Sequence, residues 1–175
     1  MPRNIEIKAR IDSVDTLLPR AQAVAGAEPE TIHQDDTFFR VPYGRLKLRE
    51  FADGSAELIH YHRPDNGEAK ASDYVRVPVP DAAALREALA RGCGLLGRVR
   101  KQRLLLLLLA SDGGFKTRIH LDRVEGLGDF MELEVMLQNG QSDADGTDVA
   151  ERLMAALGLQ EAPRLAGSYF DLLRR

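Results

Sequence analysis

The chain has 175 residues, with 24 Lys and Arg against 27 Asp and Glu, a net charge of −3, no Trp and one Cys. That length suits one domain with its own core, read as residues 1–175, and the balance of 29% charged to 44% hydrophobic excludes a disordered acidic chain and a broadly basic nucleic-acid binder. The lone Cys93 forms no internal disulfide, so a cytoplasmic location is expected. The apolar run from Leu104 to Ala110 is far shorter than the roughly 20 residues that cross a bilayer, so no membrane partner is expected either.

Period-2 alternation organises most of the chain. Asn4, Glu6, Lys8 and Arg10 share one strand face, and Ile5, Ile7, Ala9 and Ile11 the other. A helix follows between Val14 and Ala25, with Pro19 expected in its first turn. Asp36 to Phe39 reads as a short strand. Next, Arg45, Lys47 and Arg49 alternate with Leu46 and Leu48, and Phe51 joins the apolar face through a bulge or strand end. Glu57 to Arg63 makes a further strand, closed by turn residues Pro64 to Gly67. Lys70 to Tyr74 reads as a loop. Tyr74 and Arg76 then alternate with Val75, Val77 and Val79, at a sheet edge or strand end because of Pro78 and Pro80.

Asp81 is placed to cap a helix from Ala82 to Arg91 that ends at Gly92 and Gly94. A long strand covers about Val99 to Leu108. Two more follow, with Lys116, Arg118, His120 and Asp122 on one face of the first and Glu132 and Glu134 on one face of the second. A helix from Thr147 or Asp148 to Leu157 and a short turn of helix near Tyr169 complete the reading. About eight strands joined by short turns favour antiparallel pairing, and charged faces on most of them imply a barrel with a polar interior.

On one strand such a face is an ordinary solvated surface; repeated around a barrel it needs an occupant. The cations outnumber the carboxylates, which suits a polyphosphate held by guanidinium and ammonium donors. Glu132 and Glu134, with Glu6 available from another strand, are an oxygen set suited to Mg²⁺ or Mn²⁺. The same spacing also fits a surface pair facing Lys116 or Arg118 across a hairpin.

Several segments carry a resemblance: Glu6-Ile7-Lys8, Gln34 to Phe39, Leu46 to Arg49, Tyr61 to Pro64, Lys101-Gln102-Arg103, Tyr169, and above all Thr117 to Glu134. They resemble the CYTH superfamily of triphosphate tunnel metalloenzymes, which includes class IV adenylyl cyclases, thiamine triphosphatases and inorganic triphosphatases. The segment from Thr117 to Glu134 is similar to the class IV cyclase branch. The resemblance implies an α+β fold, an eight-stranded antiparallel closed barrel or tunnel with a charged interior and helices outside. It also implies that Glu6, Glu132 and Glu134, with Asp122 as a further candidate, hold Mg²⁺ or Mn²⁺. Lys8, Lys47, Arg49, Arg63, Lys101, Arg103 and Arg118 would grip the triphosphate, and Lys8, Arg103 and Glu134 would act in catalysis. Arg10, Arg45, Arg76 and Lys116 are weaker candidates for the same grip.

Two departures stand out. Asn4 replaces the first Glu of the family's ExExK signature and is a weaker ligand. The six leucines from Leu104 to Leu109 fall where a tunnel strand carries polar residues, and read as packed core or a dimer seam, which leaves a homodimer open. The implied partner is a small-molecule triphosphate. The expected function is class IV adenylyl cyclase, with triphosphatase (inorganic, thiamine or nucleoside triphosphate) as the alternative and a non-catalytic polyphosphate-binding module as the third reading. His60 and His62 read as sheet-face residues, because no third ligand stands at a zinc-like spacing.

Overall fold

The computed structural model describes residues 3–62, 70–71, 73–108 and 114–174. Arg63, the turn from Pro64 to Gly67 and Leu109 lie outside the described residues. Among the described residues nine strands form one antiparallel sheet: β1 (Arg3–Arg10), β2 (Glu30–Phe39), β3 (Arg45–Phe51), β4 (Ala56–His62), β5 (Lys70–Ala71), β6 (Asp73–Pro78), β7 (Leu95–Leu108), β8 (Lys116–Val124) and β9 (Gly128–Leu137). Their order is β5-β1-β9-β8-β7-β2-β3-β4-β6. The two-residue β5 pairs with β1, and β6, one residue further along the chain, pairs with β4. One stretch of chain therefore joins both ends of the sheet, and counting it as one strand gives the eight-stranded tunnel. Lys70 and Ala71, expected in a loop, belong to it.

The parity read from the sequence holds, but its sense is inverted relative to an ordinary half-buried sheet. The aliphatic faces point outward and are covered by helices, while the charged faces point into the lumen. Ile5, Ile7, Leu104, Leu106, Leu108, Ile119, Leu121, Leu133 and Val135 form the main core with Val14, Leu17 and Ala21 of α1 (Val14–Ala25) and Val149, Ala150 and Met154 of α3 (Asp143–Ala156). Each of these larger side chains contributes about 1.5–3 kcal/mol by leaving water. A smaller cluster of Phe39, Leu48 and Ala56 lies under α2 (Ala82–Gly92), which Asp81 caps as expected.

Local chemistry sets the helix ends. Ser13 caps α1, and Pro19 lies inside that helix, beyond the first turn. α3 starts at Asp143, earlier than the apolar pattern indicated, because Ser142 and Asp145 form a capping box ahead of the first apolar residue. Gly146 lets α3 approach the sheet, since a Cβ there would stand 2.7 Å from Leu137 and 2.9 Å from Ile5.

The last element, α4 (Tyr169–Leu173), closes one end of the tunnel. Tyr169 and Phe170 cluster with Phe38, Val99, Val124 and Phe130, and the Phe38 and Phe170 rings stack at 4.9 Å. These partners share the parity of the charged lining and sit at the end of β2, in the first half of β7, at the end of β8 and at the start of β9, which the antiparallel order places together. Gly97 makes room for the plug, because a Cβ there would meet Phe170 at 2.5 Å. Arg45 Nη2 donates to Asp171 at 2.7 Å and ties α4 to β3.

Candidate active site

The lumen encloses a cavity of about 410 Å³. Lys8, Lys47, Arg49, Arg76, Lys101, Arg103 and Arg118 line it beside Glu6, Asp36, Glu57, Glu132 and Glu134, a cationic excess among the described residues. The chain's overall acidity is therefore no guide to the charge inside the tunnel. Of the weaker candidates only Arg76 lines the cavity. Arg10 lies over Phe130 and donates to the Leu127 carbonyl, Arg45 is bound to Asp171, and Lys116 is exposed.

Two buried networks order the cations. On β7, β8 and β9, Arg103 donates from Nε and Nη2 to the Asp122 carboxylate at 2.7 and 2.6 Å and from Nη2 to Glu132 at 2.5 Å. Lys8 on β1 pairs with Glu132 at 2.9 Å, and Lys101 reaches Asp122 at 3.3 Å. The Tyr169 hydroxyl donates to Asp122 at 2.8 Å, and its ring lies 4.0 Å from the Lys8 ammonium and 4.9 Å from that of Lys101. On the facing wall, Asp36 accepts from Lys47 at 2.8 Å and bidentately from Arg49, both at 2.7 Å.

Burial raises the pKa of every carboxylate in these networks, but the neighbouring cations win. Lys8, Arg103 and Lys101 hold Glu132 well below the usual range, Arg103 and Lys101 do the same to Asp122, and Arg49 and Lys47 to Asp36. Glu134 is lowered by His120 and Arg103 against its burial. Burial, with the Arg49 charge, lowers Lys47 to about 7 despite Asp36. Burial and then the Glu132 and Asp122 charges raise Tyr169 well above its ordinary value, so it stands as a neutral donor.

Among the described residues, Asn4 Oδ1 and Gln34 Oε1 are buried, face the cavity and have no hydrogen-bond partner, while His120 Nδ1 stands 3.7 Å from Glu132. Each unpartnered atom costs about 1–3 kcal/mol unless something in the lumen satisfies it. With the excess of cations, they describe a site built around a ligand.

The carboxylates fit a hard divalent ion that keeps most of its shell in water and phosphate oxygens. Among the described residues no three His, Cys, Asp or Glu side chains converge into a ready-made cage. Glu6 and Glu134, however, are register partners across β1 and β9 and both line the cavity. Like charges set opposite each other are unfavourable until a cation joins them. Mg²⁺ takes one or two carboxylates and completes its shell with water and substrate phosphates, and the orphaned Asn4 oxygen lies on the same strand face as Glu6.

Asp122, the further metal candidate, lies behind the lining. It is 0% exposed, does not line the cavity, and has both oxygens engaged by Arg103, Lys101 and Tyr169. Its carboxylate therefore holds the Arg103 and Lys101 side chains at the wall. Glu132 faces the cavity and bridges Lys8 and Arg103. The hairpin reading also holds, because Arg118 Nη1 donates to Glu134 at 3.4 Å across β8 and β9, but that face is the cavity. His60 is exposed on the outer face, with Nε2 at 3.0 Å from the Tyr43 carbonyl.

Residues not read from the sequence as lining include Asp36, Gln34, Glu57, Tyr61, Tyr74 and Phe51. Phe51 keeps the parity of Arg49 and faces inward with no bulge, in register with Gln34.

The sequence profile of the CYTH domain matches residues 2–169. The chain belongs to the CYTH family. Enzymes of this family act on triphosphates held in the tunnel and use divalent metal ions. Solved structures agree with the fold. The PH1012 protein of Pyrococcus horikoshii superposes with a TM-score of 0.83 at 22% identity, covering 97% of this chain and 99% of its own. A Vibrio parahaemolyticus protein provisionally described as an adenylate cyclase gives 0.77 at 21%, with 98% of each chain covered. A Hippeastrum protein provisionally described as an adenylyl cyclase, and found to have a dominant triphosphatase activity, gives 0.69 at 14%, covering 99% of this chain and 95% of its own. Among curated proteins, none matches the chain significantly. No helix among the described residues is long and apolar enough to cross a membrane.

Proposed function

We propose that this CYTH protein is a cytoplasmic, metal-dependent enzyme that converts ATP to cyclic AMP and pyrophosphate, as class IV adenylyl cyclases do. The observation that carries the reading is the closed-ended cationic lining formed by the buried Lys8, Lys101 and Arg103 and the half-buried Lys47 and Arg49, for which a triphosphate supplies the matching charge. The choice of reaction rests on the similarity of Thr117 to Glu134 to the cyclase branch.

Because α4 blocks the far end, the terminal phosphates enter first and meet Lys101, Arg103 and Lys8, with Lys47 and Arg49 on the opposite wall. Arg118, beside Glu134, takes the α-phosphate. Glu6 and Glu134, with Glu132 and the Asn4 oxygen nearby, would hold Mg²⁺ or Mn²⁺, which when bound supplies further neutralisation of phosphate charge. Positioning does most of the rest. The lining holds the ribose 3′-oxygen in line with the α-phosphorus, a 3′-O–P bond forms, the bond to the β-phosphate oxygen breaks, and pyrophosphate leaves with that electron pair. The hydroxyl proton passes to water. Arg103 and Lys8 stabilise the charge that develops on the leaving group, and Asp122 and Tyr169 keep Arg103 and the two lysines in place.

Product analysis tests this. The purified protein is incubated with Mg²⁺ or Mn²⁺ and, separately, ATP, inorganic triphosphate and thiamine triphosphate, and products are identified by phosphorus NMR. Cyclic AMP with pyrophosphate is expected. Orthophosphate release in its place would replace the cyclase with a triphosphatase, and binding without turnover would make the protein a non-catalytic module.

A further inference from the structure

We infer that Leu105 and Leu107 on β7, with Ile32 on β2, seat the organic group of a triphosphate ester, so that the protein selects esters over inorganic triphosphate. The inference rests on the reading above that the basic half of the cavity holds the triphosphate.

The cavity side of β7 reads Lys101, Arg103, Leu105, Leu107. Successive residues on one strand face are about 6.6 Å apart, so the lining changes from cations to leucines in one step and stays apolar for about 13 Å beyond Arg103. Ile32 extends the apolar surface onto β2, where it is the register partner of Arg103. Leu105 and Leu107 in turn pair with His120 and Arg118, so the wall lies directly beside the charged site.

The fold does not require this wall. The outward residues of the same run, Leu104, Leu106 and Leu108, are 8%, 0% and 7% exposed and complete the core under the helices. Leu107 is 45% exposed inside a lumen whose other positions are mostly ionisable. A bare polyphosphate presents only oxygens, gains nothing from aliphatic carbon and loses water against it. An ester presents carbon at one end alone. With the inner end plugged by Tyr169 and Phe170, that carbon remains toward the open end, where the leucines are.

The test is calorimetric titration without divalent metal, so that nothing turns over, using tripolyphosphate, ATP, GTP and thiamine triphosphate. At least one ester is expected to bind about tenfold or more tighter than tripolyphosphate, and Leu107→Ser and, separately, Ile32→Ser are expected to shrink that ratio by about five- to twentyfold. Two positions are used so that a fold defect in one variant does not decide the result. ATP and GTP binding tighter than thiamine triphosphate identifies the group as a nucleoside, and the reverse order as a non-nucleoside ring; both support the wall. Tripolyphosphate binding as tightly as every ester, or serine weakening all four ligands equally, overturns it. If none of the four binds, the triphosphate reading itself fails.

Discussion

Replacing Asp122 with Asn tests the buried network most sharply. Asp122 is 0% exposed and receives Arg103 at 2.7 and 2.6 Å, Tyr169 at 2.8 Å and Lys101 at 3.3 Å. The amide keeps the shape but removes the charge and turns one acceptor into a donor facing donors. Arg103 and Lys101 are then left with Glu132 as their shared counter-ion, and breaking a buried pair in this way costs about 3–5 kcal/mol. In a protein of this size that lowers Tm by about 6–20 °C. Asp35→Asn is the control, since Asp35 pairs with Arg98 and Arg100, whose side chains are 46% and 54% exposed, and such pairs are worth under about 1 kcal/mol. Urea unfolding at pH 7, followed by circular dichroism, measures both. The Asp122 carboxyl is held below its ordinary range, so its contribution is complete at neutral pH and declines as acid protonates it; the gap between wild type and variant narrows below about pH 4. A loss of less than about 1 kcal/mol at pH 7, or one no larger than the control's, would refute the coupling.

Other outcomes follow from the same geometry. Lys47, lowered to about 7, is mostly neutral in the free protein at pH 8 and is recharged by a bound triphosphate. ATP binding there takes up protons and weakens as pH rises, while Lys47→Arg, whose guanidinium stays charged, takes up fewer. Calorimetry in buffers of different ionisation enthalpy reads the difference, and equal uptake by both proteins contradicts it. Glu134→Gln is expected to lower metal-dependent turnover about 100-fold while metal-free ATP affinity changes less than about tenfold, because only the ion loses a ligand. Gly97→Ala sets a Cβ against Phe170 and costs about 1–3 kcal/mol by overpacking, with faster amide exchange in α4 as its local signature.

Strand parity was legible because the charges alternate with aliphatics so regularly. Ile5, Ile7 and Ile119 against Lys8, Arg118 and Glu134 sort themselves into core and lining. Parity on one strand does not say which face is the inside; the repetition of charged faces from strand to strand does, and closure through β5 and β6 agrees with it. The sequence shows only the second half of β2 because Ile32 is the single apolar residue from Glu30 to Asp35 and gives no period-2 contrast, although β7 pairs along all of it. Asp36 was lost with it, since an acidic residue at an expected strand end looks like turn chemistry. Asp122 shares the parity of the ligand-facing residues, and nothing in spacing reveals that Arg103 and Tyr169 take both its oxygens. The leucine run divides by the same parity that the charged strands follow, with Leu104, Leu106 and Leu108 in the core and Leu105 and Leu107 in the lumen.

The most direct measurement is a crystal structure with Mn²⁺ and a non-hydrolysable ATP analogue bound. The account predicts an anomalous manganese peak coordinated by Glu6 or Glu134 and by phosphate oxygens, with the terminal phosphates on Lys8, Lys101 and Arg103 and the nucleoside against Leu105 and Leu107. Manganese on Asp122, or an analogue bound outside the tunnel, would contradict it.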